Sequence, residues 1–186
     1  MPLIENGKLA PDRFTRVADE DEAGQVPPLP ASTPVLLSLD RFLKEEEALA
    51  STNVEVGIIW PNNKPIAEIV PYLPRLALVA LNFPTFRDGR AYSQARLLRE
   101  RLGWKGPLRA IGNVLRDQFL IMSRAGFDQI VPVKDADAQA FDAAMHSYTV
   151  FYQPTGDGRK SLLRARLGRS ATRAEHDGSK DRGATA

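Results

Sequence analysis

Short apolar runs alternate with helix-like segments along most of the chain, and this alternation limits the folds open to it. The runs are flanked by Pro, Gly, Asn or Asp, as is typical of strands between turns. They are Val35–Leu39, Val54–Trp60, Leu76–Phe83, Leu108–Ile111 and Phe127–Val133. Leu76–Phe83 is apolar almost throughout, which indicates a strand buried on both faces.

Five βα units with short connections predict an α/β fold with an open, mostly parallel sheet. Five is too few for a closed eight-stranded barrel. We favour a doubly wound sheet, which has helices on both faces, and a partial barrel is the alternative.

The helical segments have recognisable start and stop signals. Each begins at a capping residue, at a proline or after a polar turn, and they are Asp40–Ala50, Ile66–Leu73, Arg90–Leu102, Asn113–Ala125 and Asp135–Met145. Pro71 should truncate or kink the second, and Gly126 should end the fourth. A last apolar piece, Tyr148–Tyr152, could add an edge strand.

Three segments are expected along the chain. Residues 1–33 combine a hairpin signal at Asn6-Gly7 with an acidic and then proline-rich linker. Residues 34–153 contain the α/β domain. Residues 154–186 are low in apolar content, and we expect this basic tail to be disordered.

Cysteine is absent from the chain, and histidine occurs only at His146 and His176. The chain therefore lacks thiolates for a disulfide, an iron–sulfur cluster or cysteine-attached haem, and we expect no metal site. No apolar run approaches the roughly 18 residues of a membrane span, and the first residues lack a signal-peptide pattern. We expect a cytoplasmic protein that does not bind membranes.

The formal net charge of +2 is unevenly distributed. Residues 154–186 contain eight Lys/Arg and four Asp/Glu, a net of +4, so the remainder has a net of −2. Because residues 1–153 taken together are slightly acidic, we do not expect the folded part of the chain to bind nucleic acid. A weaker alternative is RNA association through the basic tail.

The stretch Leu81–Gln118 contains seven arginines and two turns that follow predicted strands. Ligands of open α/β sheets bind outside the carboxyl ends of the strands, and a helix N-terminus with arginines suits a small oxyanion. The candidate ligand- or partner-binding residues lie in these turns and in the helical turns after them: Asp88, Arg90, Tyr92, Ser93, Arg96, Asn113, Arg116, Asp117 and Gln118. The alternative is that Asp88 caps a helix and the arginines form a solvated face.

Gln118 is the sharpest anomaly in this stretch because it projects into the apolar face of the segment Asn113–Ala125. A buried amide needs hydrogen-bond partners. Two interpretations remain open: Gln118 bonds a neighbouring loop, or it faces a ligand or partner.

Common nucleotide and nucleophile motifs are absent. The sequence has no G-x-G-x-x-G dinucleotide fingerprint, no G-x-x-x-x-G-K-[ST] phosphate loop and no G-x-S-x-G elbow. The cofactor and any catalytic residues therefore remain unknown.

The sequence FPTFRDGRAYSQARLLRERLGWKGPLRAIGNVLRDQ, followed by MSRAGFDQI, resembles the signature of the bacterial family called domain of unknown function 934. The resemblance extends from Ala31 to about Gln153. It implies an oxidoreductase associated with assimilatory sulfite reduction, and it implies no catalytic residues. The positions that match the motif are Asp88, Gly89, Arg90, Tyr92, Ser93, Arg96, Arg109, Gly112, Arg116, Asp117 and Gln118.

Two functions follow as expectations. Sulfite reduction is a multi-electron reaction, and this chain has neither cysteine ligands nor a flavin or nicotinamide fingerprint. The first expectation is therefore an accessory protein, or an oxidoreductase component, of assimilatory sulfite reduction, with a sulfite reductase subunit as partner. The second is a stand-alone enzyme or binding protein with a small-anion or cofactor site at the carboxyl edge of the sheet.

Overall fold

The strands of the sheet are short, and most follow one another in space in the order of the sequence. The computed structural model describes residues 2–22, 24–134 and 141. The strands within these residues are β1 (Leu3–Glu5), β2 (Lys8–Ala10), β3 (Thr15–Arg16), β4 (Val35–Ser38), β5 (Val56–Trp60), β6 (Leu76–Phe83), β7 (Leu108–Gly112) and β8 (Gln129–Ile130). The five predicted strands correspond to β4–β8, and β8 is much shorter than predicted.

The described strands form one mixed sheet of eight in the order β2-β1-β8-β7-β6-β5-β4-β3. Strands β3 to β8 are parallel neighbours. Strand β1 is antiparallel to both β8 and β2. The β1–β2 turn has positive φ at Asn6 (48°) and Gly7 (87°), as a tight two-residue hairpin turn requires. The predicted hairpin is confirmed, and it belongs to the main sheet.

The sheet is strongly curled, as the connection between its two outermost strands shows. Strands β2 and β3 lie at opposite edges of the sheet, yet only Pro11–Phe14 separate them in sequence. A flat sheet of this size would place its edges about 34 Å apart. The chain from Ala10 to Thr15 can span at most about 18 Å. The edges must therefore approach each other, and Pro11–Phe14 cross the concave side.

Four α-helices and three 3-10 helices connect the described strands. They are α1 (Leu39–Lys44), α2 (Glu46–Ala50), α3 (Arg90–Glu100), α4 (Phe119–Ala125) and the 3-10 helices Ile66–Ile69, Leu73–Arg75 and Arg116–Gln118. Ser38, and not Asp40, caps α1, since its Oγ accepts a hydrogen bond from the Arg41 N–H at 3.1 Å. Gly126 ends α4 with a φ of 103°, as predicted.

The helices pack on one face of the sheet. Their buried apolar side chains, apart from Leu120, form a single cluster with alternate strand residues such as Leu37, Ile58 and Leu81. The other face has its own small cluster of buried residues, none of them helical: Phe14, Leu36, Leu78, Ala80 and Ile111. We call this second, concave side the inner face.

The preferred doubly wound arrangement is therefore wrong, and the partial-barrel alternative describes the sheet. A doubly wound sheet reverses its strand order, whereas β3 to β8 advance in one direction and right-handed crossovers then leave all helices on the same side.

Three predicted helices also differ. The segment Asp40–Ala50, predicted as one helix, forms the two helices α1 and α2, which are separated at Glu45. The segment after Pro65 forms two 3-10 helices, as expected for a region broken by Pro71 and Pro74. Asn113 does not cap a helix, because α4 begins only at Phe119, after the 3-10 helix.

The described residues contain four connections between successive parallel strands from β4 to β8, so five βα units are not confirmed. The predicted helix Asp135–Met145 (apart from Phe141), the strand Tyr148–Tyr152 and the tail 154–186 lie outside the described residues. Within the described ranges, no helix has the length and apolar character needed to cross a membrane.

Candidate functional site

Three consecutive turns meet at the carboxyl edge of the parallel strands. They follow β5, β6 and β7, whose ends pair in register: Trp60 lies opposite Leu81, and Phe83 lies opposite Gly112. The backbone N–H of Asn113 donates a hydrogen bond of 2.7 Å to the Phe83 carbonyl, which joins the second turn to the third. The two turns predicted as candidate sites are therefore neighbours.

Asp88 is the centre of the first contact network. Its carboxylate accepts hydrogen bonds from Nε and Nη2 of Arg90 at 3.0 and 2.6 Å, and from the Arg90 backbone N–H at 3.2 Å. Asn62, from the turn after β5, donates to the same carboxylate at 2.6 Å. The Arg90 guanidinium is the main reason that the pKa of Asp88 falls to about 2. Asp88 thus acts as the fixed anion that orients Arg90.

Tyr92, Asp117 and Gln118 form a second network beside the first. The ring of Tyr92 packs edge-on against Phe83, with centroids 5.0 Å apart. Burial raises the pKa of Tyr92 to about 12, and the negative charge of Asp117 adds to this, while a hydrogen bond with Gln118 opposes it. The phenol of Tyr92 is therefore neutral at physiological pH.

Gln118 is buried, with 6% of its surface exposed. Its Oε1 accepts a hydrogen bond from the Leu115 N–H at 3.0 Å, and its Nε2 donates a long one of 3.4 Å to the Phe86 carbonyl. Of the two interpretations that the sequence left open, the bond to a neighbouring loop is therefore the one present. Gln118 holds the two turns together.

The remaining candidates are exposed on the rim of these networks. Ser93 and Arg96 lie on the outer side of α3, and Arg96 forms an ion pair of 3.4 Å with Glu100. Asn113 and Arg116 are exposed in the turn after β7, and Arg116 has no ion pair within the described part of the chain. The structure thus places the nine candidates at the carboxyl edge and along α3, in two networks and a rim.

Asn62 and Gln94 belong to this edge, although the sequence did not single them out. Gln94 is 6% exposed, and its Nε2 donates to the carbonyls of Pro61 and Lys64 at 3.1 and 3.0 Å. Its Oε1 has no hydrogen-bond partner among the described atoms. The feature of the sequence that could have identified Asn62 is its position in the turn that follows β5. The sequence did not predict that Gln94 is buried, because a helical wheel places it on the flank of the helix and outside the packed face.

Two arginines of Leu81–Gln118 have structural partners instead of facing solvent. Arg99 donates to the carbonyls of Trp104 and Gly106 at 2.8 Å each and to that of Gly126 at 3.0 Å, and it pairs with Asp128. Arg109 is buried on the inner face. Neither residue belongs to the carboxyl-edge site.

The outer side of α3 is the most prominent exposed surface at this edge. Phe86, in the preceding turn, is 45% exposed, and Leu97 is 37% exposed. The exposed residues of α3 and its C-cap fall within an arc of about 140° on the helix; they are Arg90, Ser93, Arg96, Leu97, Glu100 and Arg101. We call Phe86 together with this arc the α3 surface. Its mixture of arginine and apolar side chains is typical of protein-binding surfaces.

The described residues offer no cluster of three or more His, Cys, Asp or Glu side chains that could hold a metal ion. Within the described residues, the side chains at this edge are arginine, amide, carboxylate and phenol groups, which form the hydrogen bonds and ion pairs given above.

Residues 57–163, more than half of the chain, match the model of a family described as a bacterial protein of unknown function, DUF934. The match includes all nine candidate residues. No curated protein matches the chain.

Proposed function

We propose that this chain, which belongs to the bacterial family DUF934, is an accessory protein of assimilatory sulfite reduction that binds a redox partner. The pathway is supported by the sequence pattern around Leu81–Gln118, because its resemblance to the family signature implies an association with sulfite reduction. The absence of cysteine supports the accessory role, since this chain supplies no thiolate to an iron–sulfur cluster. In this proposal the redox centre lies on another subunit.

The observation that supports partner binding is the composition and rigidity of the α3 surface. Phe86 and Leu97 are exposed apolar side chains between arginines, the residue types that dominate protein interfaces. The Asp88 carboxylate holds the guanidinium of Arg90, and Gln118 anchors the carbonyl of Phe86. Because these contacts exist before a partner binds, the side chain of Arg90 and the backbone at Phe86 lose little conformational entropy on binding.

The pathway is tested by growth of a deletion strain on different sulfur sources. We expect no growth on sulfate or sulfite and normal growth on sulfide or cysteine. Normal growth on sulfite, with normal sulfite reductase activity in extracts, would reject the pathway.

The surface is tested by complementing the deletion strain with charge-reversed chains. Arg96→Glu should fail to restore growth on sulfite and should not co-purify with sulfite reductase. Arg13→Glu is a matched control, because Arg13 and Arg96 are 58% and 57% exposed and each is paired with one glutamate. If both variants restore growth on sulfite fully, the α3 surface is not the partner-binding surface, while the proposed pathway still stands.

A second candidate is a small-anion or cofactor site at the same edge. The observation in its favour is the meeting of three turns, with Arg116 exposed and without an ion pair in the described residues. Against it, Arg90 and Arg96 are each paired with a carboxylate, which an anion would have to displace. Thermal shifts with sulfite, sulfate, flavin or pyridine nucleotides that disappear in Arg90→Ala or Arg96→Ala would establish this site. The absence of any shift would reject it.

A further inference from the structure

Arg109 lies on the inner face of the sheet, and its side chain is only 1% exposed. Its Nη1 and Nη2 donate to the two carboxylate oxygens of Asp12, each at 2.8 Å, and its Nε donates to Oε1 of Gln129 at 2.8 Å. A guanidinium that donates two parallel hydrogen bonds to one carboxylate has the geometry with which proteins recognise carboxylate ligands.

The carboxylate partner of Arg109 comes from the segment that crosses the concave side and not from a strand. Asp12 lies in Pro11–Phe14, between β2 and β3. Its side chain is 32% exposed, although the guanidinium that it contacts is buried. The carboxylate therefore reaches Arg109 from the solvent side, as a bound ligand would.

Phe14 adds an aromatic group to this carboxylate. Its ring is buried in the inner-face cluster, and its centroid lies 5.6 Å from Cζ of Arg109. The Phe14 N–H also donates to Asp12 at 3.0 Å, so the carboxylate and the ring are held as one unit. Ile59 and Val131, which pack against the same cluster, are only half-buried, so the cluster is not sealed from solvent.

We propose that the inner face is a binding site for an aromatic carboxylate, and that Asp12 and Phe14 occupy it as an internal substitute for that ligand. The ligand must be an anion, because the buried guanidinium of Arg109 would otherwise be unpaired, at a high cost in free energy. The site lies on the opposite face of the sheet from the helices, and it does not depend on the role proposed for the α3 surface.

The crossing segment is held by few backbone contacts, which allows its displacement. Strand β3 has only two residues and pairs with β4 alone. At its ends Thr15 donates to Pro34 (2.8 Å) and Val17 donates to Leu36 (3.1 Å), and Arg13 forms an exposed ion pair with Glu55 at 3.0 Å. Edge segments with so few bonds open at a low free energy compared with the core.

The test uses the full chain, with 3-phenylpropionate as probe and the neutral 3-phenylpropionamide as its control. In Asp12→Asn the competing carboxylate is removed, so the affinity for 3-phenylpropionate measured by calorimetry should rise by about tenfold or more over the wild type. The amide should not bind, and Lys44→Ala, a change at an exposed residue of α1 on the opposite face of the sheet, should leave the affinity at the wild-type value. Equal affinity of the wild type and Asp12→Asn, or equal binding of the amide, would overturn the proposal.

A second measurement uses the wild type and does not depend on the folding of a variant. Saturating 3-phenylpropionate should accelerate hydrogen exchange at the amides of Phe14, Thr15 and Val17, because the probe releases the segment that they belong to. The amide control should have no effect. Unchanged exchange at these amides with saturating probe would show that Asp12 and Phe14 are fixed parts of the fold.

Discussion

The side chain of Asn62 donates a hydrogen bond of 2.6 Å to Oδ2 of Asp88, and this contact joins the turn after β5 to the turn after β6. The same oxygen accepts a bond of 2.6 Å from Nη2 of Arg90. Because these bonds favour the charged form of the carboxyl group, the pKa of Asp88 falls from 3.8 to about 2. The charge of Asp88 is therefore part of what holds the carboxyl edge together.

The free energy of unfolding should decrease at acid pH as the carboxylate of Asp88 becomes protonated. The pKa of Asp88 is depressed in the folded state, so its contribution is fully present above pH 3.8 and is lost as the pH falls towards about 2. The free energy of unfolding, measured by urea titration at several pH values, should decline in this window. Arg90→Ala should raise the pKa of Asp88 more than Asn62→Ala does, because Arg90 is the larger cause of the shift. A carboxyl titration by NMR that is unchanged in Arg90→Ala would contradict this account.

The free energy of unfolding should also decrease at alkaline pH, because the phenol of Tyr92 loses its proton more easily in the unfolded chain. Burial, together with the charge of Asp117, raises the pKa of Tyr92 from 10.0 to about 12. The unfolded chain therefore releases this proton earlier, and stability should fall between about pH 10 and 12. Tyr92→Phe should remove that part of the decline, measured as the free energy of unfolding against pH.

The titration of Tyr92 also reports on Asp117. Asp117→Asn removes a neighbouring negative charge, so the pKa of Tyr92 should move down towards 10.0 in an ultraviolet titration of tyrosinate. Glu47→Gln, a change on the separate helix α2, is the control and should not move it. An unchanged pKa in Asp117→Asn would mean that burial alone causes the shift.

Arg99 should contribute measurably to stability, although its place in the sequence resembles that of a surface arginine. Arg99→Lys retains the charge but cannot reach the carbonyls of Trp104, Gly106 and Gly126 with one ammonium group. We expect the free energy of unfolding to fall by about 1–3 kcal/mol. Arg101→Lys, at an exposed position without an ion pair in the described residues, should change it by less than about 0.5 kcal/mol. Similar losses in the two variants would show that the carbonyl contacts of Arg99 add nothing.

The strands and the packed face of α3 could be predicted from the sequence because burial leaves a periodic pattern. Ala91, Ala95 and Leu98 are buried, as the helical wheel predicts. The partners of Arg99 could not be predicted in this way. They come from Trp104–Gly106 and Gly126–Asp128, where the chain returns to α3, and no local period records such a return.

The order of the strands in the sheet also could not be predicted from the sequence pattern. Apolar alternation reports which face of a strand is buried, but it does not report which strand is its neighbour. The most informative feature is the short connection Pro11–Phe14, and it indicates a curled sheet only once β2 and β3 are known to lie at opposite edges. Strand β3 has two residues, too few to show any alternation. The pair formed by Asp12 and Arg109 depends on the same closure, so it too was missed.

Gly112 should tolerate substitution less well than Gly103, although both have positive φ. The φ angles are 94° at Gly112 and 69° at Gly103, so alanine is strained at both positions, at a cost of about 1–2 kcal/mol. A Cβ at Gly112 would lie 2.4 Å from the Phe83 carbonyl oxygen and 2.6 Å from Oδ1 of Asn82, whereas a Cβ at Gly103 would meet nothing within 4 Å. Gly112→Ala should therefore lower the free energy of unfolding by about 1–3 kcal/mol more than Gly103→Ala does.

The reason for this difference lies in the approach of two turns at the carboxyl edge. The Phe83 carbonyl is also the acceptor for the Asn113 N–H, so it cannot move away from a new side chain without breaking that bond. Urea unfolding of the two alanine variants measures the difference directly. Equal losses of stability would mean that backbone strain alone, and not the contact with Phe83, requires glycine at position 112.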